Sequence, residues 1–523
     1  MTIKKWTVLL LATALTCSCV GCGSKPEQTD SNQGDSVTLT WWTPLFPHVA
    51  QTATNFGEVA LYKELEKETG VNLEFVHPAQ GQENEKFNIM LSSGEYPDLF
   101  SWNFTTYKGG PQKAMEDGVI AGLDDYLSLA TNYSKILKEH PDWDKQTTTD
   151  EGKHYTFATF YSNDELTCWF GPQIRKDLLD KANLPLPETI DEWDRVLRAF
   201  KDMGVEYPLC IAGTDFQSVF SGAFGVGDGF YQENGIVKYG FCEPAYKDYV
   251  NLMRTWYQDG LLDPDFYAQD SKALEAKITS GKAGAYLGAV GGAMGKYIPV
   301  LKNLDSSYEI SGTKFLAKEK GEIPQFGVKS RDWAPATSVS ISQQCENKEA
   351  AVKFLDYGYT EKGHMLYNFG IEGVSYNMVD GYPKYTDEIL KNPDGLSVQH
   401  AMGKYLAAVY GGPFVQDVRY FEQYTPYEEQ KEAVKLWSQQ GSSRQMPLLT
   451  FTQEETEVIV SKTTAVDAFL SEGFLKFVTG KTSMDEYDSF VQKAKSMGLD
   501  DMIQVYQTAL ERYNAKPVQP NNQ

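Results

Sequence analysis

The feature that most constrains this chain is a strand–helix–strand pattern beginning at Val37. Val37, Leu39 and Trp41 alternate as the apolar positions of a strand. Val59, Tyr62 and Leu65 then recur at helical spacing up to Gly70, and Val71, Leu73 and Phe75 alternate again. Two strands joined by a helix pair in parallel through a right-handed crossover, which predicts an α/β fold. A second helix, near Glu83 to Leu91, leads into the stretch LSSGEYPDLFSWNF, residues 91–104. There a glycine turn is followed by the short apolar strand Leu99-Phe100, which runs into Trp102, Asn103 and Phe104. Ligands of parallel α/β sheets bind beyond the carboxyl ends of strands, so Trp102 and Asn103 form either a ligand-facing edge or a buried ring on a loop.

Farther along, Thr189-Ile190-Asp191-Glu192 reads as a capping box, and Trp193, Val196, Leu197 and Phe200 fall on one face of the helix it starts. Tyr246, Tyr249, Val250, Met253, Trp256 and Tyr257 make a second such stripe before Gly260. Glu349 to Tyr357 makes a third, with Ala351, Phe354 and Leu355 inward. Ser483-Met484-Asp485-Glu486 caps a helix running to Met497, and Ile503, Tyr506, Leu510 and Tyr513 line the last helix. These stripes are core-forming. A chain of 523 residues exceeds one ordinary core and predicts two or three domains.

The net charge of −23 repels phosphate backbones and anionic lipid heads, which argues against a nucleic-acid partner. Residues 1–21 have the form of a secretory signal: Lys4 and Lys5, a short apolar run from Val8 to Leu15, then small residues. The sequence Cys19-Val20-Gly21-Cys22 resembles a bacterial lipobox, so Cys22 is the expected lipidated first residue of the mature chain. Cys19 stands where leucine is usual. Residues 22–36 have almost no apolar side chain and read as a flexible tether. The remaining cysteines, Cys168, Cys210, Cys242 and Cys345, match no metal or redox spacing and are expected as small buried hydrophobes.

Catalytic motifs are missing. The glycines of GAVGGAMG, residues 288–295, and of GVGDG, residues 225–229, lack dinucleotide-loop spacing and are expected to serve turns and close packing. There is no ATP loop, no HExxH pair and no GxSxG elbow. Asp142, Asp144 and Gln146 begin like a calcium loop, but Thr147 and Lys153 occupy the positions of its glycine and glutamate. A carboxylate pair for glycoside hydrolysis is neither located nor excluded by sequence.

Several stretches together carry a family resemblance: LSSGEYPDLFSW, GVIAGLDDYL from Gly118, IRKDLLDKANLPLPETIDEW from Ile174, NFGIEGVSY from Asn368 and GFLKFVTGKTSMDEYDSF from Gly473. In this order, behind a lipobox, they resemble the extracellular solute-binding protein family 1, in particular the long carbohydrate-binding lipoproteins of Gram-positive ABC importers. The likeness covers nearly the whole mature chain. It implies a two-lobed, type II periplasmic-binding-protein-like α/β fold, with a hinge and a ligand cleft between the lobes. The implied division is 36–160 plus 342–445 for lobe one and 161–341 plus 446–523 for lobe two. Calcium, which some relatives hold after the helix equivalent to Trp193–Phe200, is not expected, because that place reads KDMGVEYPL.

The resemblance further implies a monomeric, non-enzymatic receptor on the outer face of the cell membrane, without a cofactor. It would deliver an oligosaccharide to separate permease subunits. Sugars need flat aromatics and hydrogen-bonding side chains. The expected set is Trp42, Trp102 and Asn103 from lobe one, Trp169, Asp215 and Phe216 from lobe two, Trp333 near the second crossover, and Glu372 with Tyr376. Arg331 with Asp332, and Arg419, are the alternatives for an acidic sugar. A surface glycan-processing enzyme, a sugar sensor, or a receptor for peptide or polyamine are the competing readings.

Overall fold

The opening pattern folds as its periodicity demands. In the computed structural model, which describes residues 37–212 and 217–517, Thr38–Trp42 pairs in parallel with both Asn72–Val76 and Leu99–Ser101. The signal peptide 1–21, Cys22 and the tether 22–36, with Asp215 and Phe216, lie outside the described residues. The crossover helix Ala60–Thr69 turns Leu61, Tyr62 and Leu65 inward and ends at Gly70 with φ 70°. Glu83–Ser93 ends the same way at Gly94, φ 72°. A left-handed cap of this kind favours glycine because a Cβ would crowd the backbone.

Six strands form the first sheet, in the order Val415–Gln416, Phe157–Tyr161, Trp333–Ile341, Leu99–Ser101, Thr38–Trp42, Asn72–Val76. Trp333–Ile341 runs antiparallel to its neighbours, so the other five strands all point the same way. The second sheet has the order Ile310–Gly312, Phe170–Arg175, Ala283–Ala289, Tyr207–Cys210. Here Phe170–Arg175 is the reversed strand and the other three are aligned. Each sheet has its own apolar core, Trp41, Phe100, Tyr133 and Phe157 packing on the first and Trp193, Phe200, Trp256 and Tyr286 on the second.

The helical stripes are core, as expected. Ile190–Asp202 buries Trp193, Val196, Leu197 and Phe200. Its cap is a variant of the box: the Thr189 hydroxyl accepts from the Glu192 amide, while the Glu192 carboxylate accepts from the amide of Glu188, one residue earlier. Pro244–Gln258 buries Tyr246, Tyr249, Val250, Met253 and Trp256, and Lys348–Tyr357 buries Ala351, Phe354 and Leu355. A full capping box at Ser483 leads into Tyr487–Ala494. The 26-residue helix Gln453–Val478, started by a Thr452–Glu455 capping box, has no counterpart in the helices read from sequence.

Helix Glu428–Trp437 lies flat on the second sheet because two glycines let it approach. A Cβ on Gly171 would sit 2.6 Å from Cδ2 of the buried Trp437 ring, and Gly312 faces Ala433 equally closely. Gly171→Ala is therefore expected to overpack this contact and destabilise the protein by about 1–3 kcal/mol. Chemical denaturation would read the loss, and an unchanged midpoint would refute the close approach. Cys168, Cys210 and Cys345 are buried free thiols and Cys242 is a half-buried one. Burial pushes the Cys242 thiol up to about 11.

Candidate functional site

The chain passes between the sheets in three places, bracketed by Tyr161 and Phe170, by Gly312 and Trp333, and by Gln416 and Glu428. Carboxyl ends of aligned strands from both sheets meet at one cavity of about 460 Å³. Tyr161 and Gln416 end strands of the first sheet there, and Ala289 ends a strand of the second. The reversed strands contribute their amino ends, Ala334 from one and Trp169, just before Phe170, from the other. This is where an α/β sheet holds its ligands. A volume of this size lies within the range of small-molecule sites.

Among the described residues seven aromatic rings line the cavity: Phe46, Tyr161, Trp169, Tyr410, Tyr420, Phe421 and Tyr424. Trp169 is the most open of the protein's large apolar side chains at this site, 46% exposed. Its indole Nε1 donates to Ser330 Oγ at 3.1 Å and its edge meets Phe170, so the ring is held in place while a face stays available. Opposite in origin, Tyr410 is stacked between Phe46 and Phe56, with centroids 5.8 and 5.0 Å away. Burial holds the phenols of Tyr161, Tyr420 and Tyr424 above their usual range, which keeps them neutral.

Polar groups at the site are uncharged. Thr159 Oγ1 and Thr337 Oγ1 are 2.9 Å apart. Gln416 Nε2 donates to Ala408 O at 2.6 Å, which fixes the amide and leaves its oxygen as an acceptor. At the end of strand Ala283–Ala289 the chain turns directly into a helical run from Val290, whose amide donates to Trp169 O. Gly291 and Gly292 line the cavity in this first turn, where amides lack intrahelical acceptors. A Cβ on Gly291 would sit 2.7 Å from Cε1 and Cζ of Tyr424, so close packing is its role, as expected of this glycine cluster.

Of the expected residues that the structure describes, Trp169 lines the cavity and Trp42, Trp102, Asn103, Trp333, Glu372 and Tyr376 do not. Trp42 is 4% exposed and packs against Phe87 and Trp102, and Trp333 is 2% exposed in the first core. Both are corrected to core rings, since a buried indole presents no face to a sugar. Trp102 is half-buried, one face stacked on Phe87 at 4.1 Å and 16°. Asn103 caps its own turn, accepting from the Thr105 amide at 3.1 Å and hydroxyl at 2.7 Å. Tyr376 is 6% exposed and packs on Phe369, and Glu372 is exposed on the adjoining turn. Arg419 is held by Asp417, with Nε 2.9 Å from Oδ2.

Arg331 and Asp332 line a separate, more polar hollow of about 670 Å³ with Lys329 and Tyr513. Lys329 Nζ lies 2.8 Å from Asp164 Oδ1, and a terminal nitrogen of Arg331 donates to Met446 O at 3.3 Å while its buried Nε has no protein partner. Among the described residues Tyr513 is the hollow's one aromatic ring, so it lacks the stacking surface of the cleft cavity. Sequence reasoning missed Tyr410, Tyr420, Phe421 and Tyr424. The aromatic cluster Tyr420-Phe421-Glu422-Gln423-Tyr424 was the available signal, although nothing local says that it returns to the ends of both sheets.

Two aligned α/β sheets meeting at an aromatic cleft define a two-lobed binding protein. The profile of the bacterial extracellular solute-binding proteins matches residues 53–365, and the chain belongs to that family. It is similar to lipoprotein LipO of Bacillus subtilis, 24% identical over 97% of this chain and 99% of LipO. It is also similar to the fructooligosaccharide ABC transporter substrate-binding protein FusA of Streptococcus pneumoniae, 25% identical over 88% of each chain. Among solved structures, an HMO-binding, ABC-transporter-associated solute-binding protein from Bifidobacterium longum infantis superimposes with TM-score 0.74, at 19% identity, over 92% of this chain and 99% of its own.

Proposed function

We propose that this protein captures an oligosaccharide in the cleft between its lobes and delivers it to the permease of an ABC importer, without chemistry of its own. The observation that carries the reading is the aromatic cavity where strand ends of both sheets converge, built around the exposed, hydrogen-bonded Trp169. A sugar touching both walls favours the closed arrangement over the open one, because only the closed form makes both sets of contacts. Family membership and the name of FusA support the class of ligand. Cys22 serves as the lipid anchor in this reading. Among the described residues no helix is long and apolar enough to cross a membrane.

The lobe division follows the strands: the first sheet with its helices makes one lobe, the second sheet the other. In this reading helix Glu428–Trp437, which packs on the second sheet, goes with the second lobe. The test is a thermal-shift screen of the mature domain against a panel of oligosaccharides. A ligand that binds only the folded state, at a hundredfold excess over its Kd, adds about 2.7 kcal/mol of stability. No shift with any glycan would refute the proposal, and turnover of a labelled glycan would replace it with the enzyme reading.

A further inference from the structure

We propose that the cleft is selective for neutral oligosaccharides and rejects glycans bearing carboxylates or sulfates. This rests on the cleft reading above and deepens it. Among the described residues lining the cavity there is no Lys, Arg, His, Asp or Glu. Recognition of a sugar carboxylate inside a protein calls for a cation, best a guanidinium that can grip both oxygens. A carboxylate brought into this aromatic pocket would lose its water and gain no countercharge, which weakens binding heavily.

Cations on the elements around the cleft stand outside the cavity lining, and several of them are held by carboxylates. Arg419, on the helix that contributes Tyr420 and Tyr424, grips Asp417. Lys329 faces Asp164, and Lys404 lies 3.1 Å from Glu388. Arg331 lines the neighbouring hollow and not this cavity, and a terminal nitrogen donates there to Met446 O. His48 stands behind Phe46 and Tyr410, and burial, with His400 adding, pushes its imidazole down to about 4. It is therefore neutral at ordinary pH. The whole-molecule charge of −23 adds a field that lowers the local concentration of anionic glycans.

What remains suits hydroxyl-rich, uncharged rings: Trp169 for stacking, the Gln416 amide and the phenols of Tyr161 and Tyr424 for hydrogen bonds. Each of these groups both lacks charge and keeps its protonation state across ordinary pH. Binding is therefore expected to be almost independent of salt, in contrast to a site that pairs ions.

The experiment is isothermal calorimetry of the mature domain with matched oligomers of two to five units. Neutral hexose oligomers of several linkages form one arm. Oligouronates form the second, and their methyl esters, which keep the shape and remove the charge, form the third. The expected result is binding of at least one neutral oligomer, with a Kd that changes less than about twofold between roughly 20 and 500 mM salt. Free uronates should bind at least about 100-fold more weakly than the best neutral ligand. Uronate binding as tight as neutral binding would overturn the selectivity while leaving the oligosaccharide reading intact. Absence of binding in all three arms would overturn both.

Discussion

Replacing His154 by alanine should lower stability by about 3–5 kcal/mol at pH 6, the cost of removing one partner from a buried ionic cluster. The ring is 3% exposed, and both of its nitrogens face carboxylates: Nδ1 lies 2.8 Å from Asp124 and Nε2 2.7 Å from Asp144. With both nitrogens donating, the imidazole is a cation. Burial opposes that charge, but the hydrogen bonds to Asp144 and Asp124 outweigh it and hold the pKa above its usual value. A raised folded pKa means that the ring's contribution is complete below the unfolded value of about 6.5 and is lost as pH rises through the folded value. The difference between wild type and H154A should accordingly shrink from pH 6 to pH 9. Denaturation midpoints of both proteins across that range measure it, and a gap that stays constant or widens with pH would refute the assignment.

The effect should reach beyond the ring. His154 O accepts from the Leu123 amide, and the residue closes a loop in which Thr149 pairs with Lys153. That loop presents Asp150 to Arg512, whose Nε donates to Asp150 Oδ2 at 2.7 Å while its terminal nitrogens bind Glu455 at 2.9 and 2.7 Å. Lys516 Nζ, nearly buried, donates to Thr148 O at 3.0 Å. Loosening the loop therefore loosens the seat of the last helix, Asp500–Asn514.

The fold was legible where local periodicity and tertiary burial agree. The parallel unit from Val37 to Phe75, the Gly70 and Gly94 caps and the stripe Trp193–Phe200 all follow from spacing, because each buries its apolar face against the nearest available sheet. Gln453–Val478 was not legible by that route: its first half is largely exposed, with Val460 at the surface, so the stripe of Val466, Leu470, Phe474 and Phe477 occupies only the second half. The Thr452–Glu455 box was the signal that marked its start.

The site was harder because aromatic residues in this chain serve two purposes with one local signature. Trp42 and Trp169 both stand next to strand ends, yet Trp42 finds Phe87 and Trp102 on its own lobe and is buried by them. Trp169 enters the first crossing, where the chain has left one sheet and not yet joined the other, and no neighbour covers it fully. Tyr410, Tyr420 and Tyr424 reach the same cavity through contacts more than a hundred residues away in sequence, such as Tyr424 against Gly291. Periodicity carries no information about such meetings.

That contrast makes Trp169 the residue on which ligand binding should depend most. Trp169→Ala is expected to weaken oligosaccharide binding by about 2 kcal/mol, on the order of 30-fold, the scale of an aromatic anchor at the centre of a site. Because the ring is half-exposed and held by one hydrogen bond to Ser330 and an edge contact with Phe170, its loss should cost only about 1 kcal/mol of stability. Trp102→Ala should behave in the opposite way: its ring completes the stack on Phe87 and the edge of Trp42, so about 2 kcal/mol of stability is lost while affinity stays within about threefold. Calorimetry and denaturation on the same two variants separate these outcomes. If Trp102→Ala weakened binding and Trp169→Ala left it unchanged, the ligand would rest on the edge of the first sheet, beyond Leu99–Ser101, and the cavity between the strand ends would lose its claim to be the binding site.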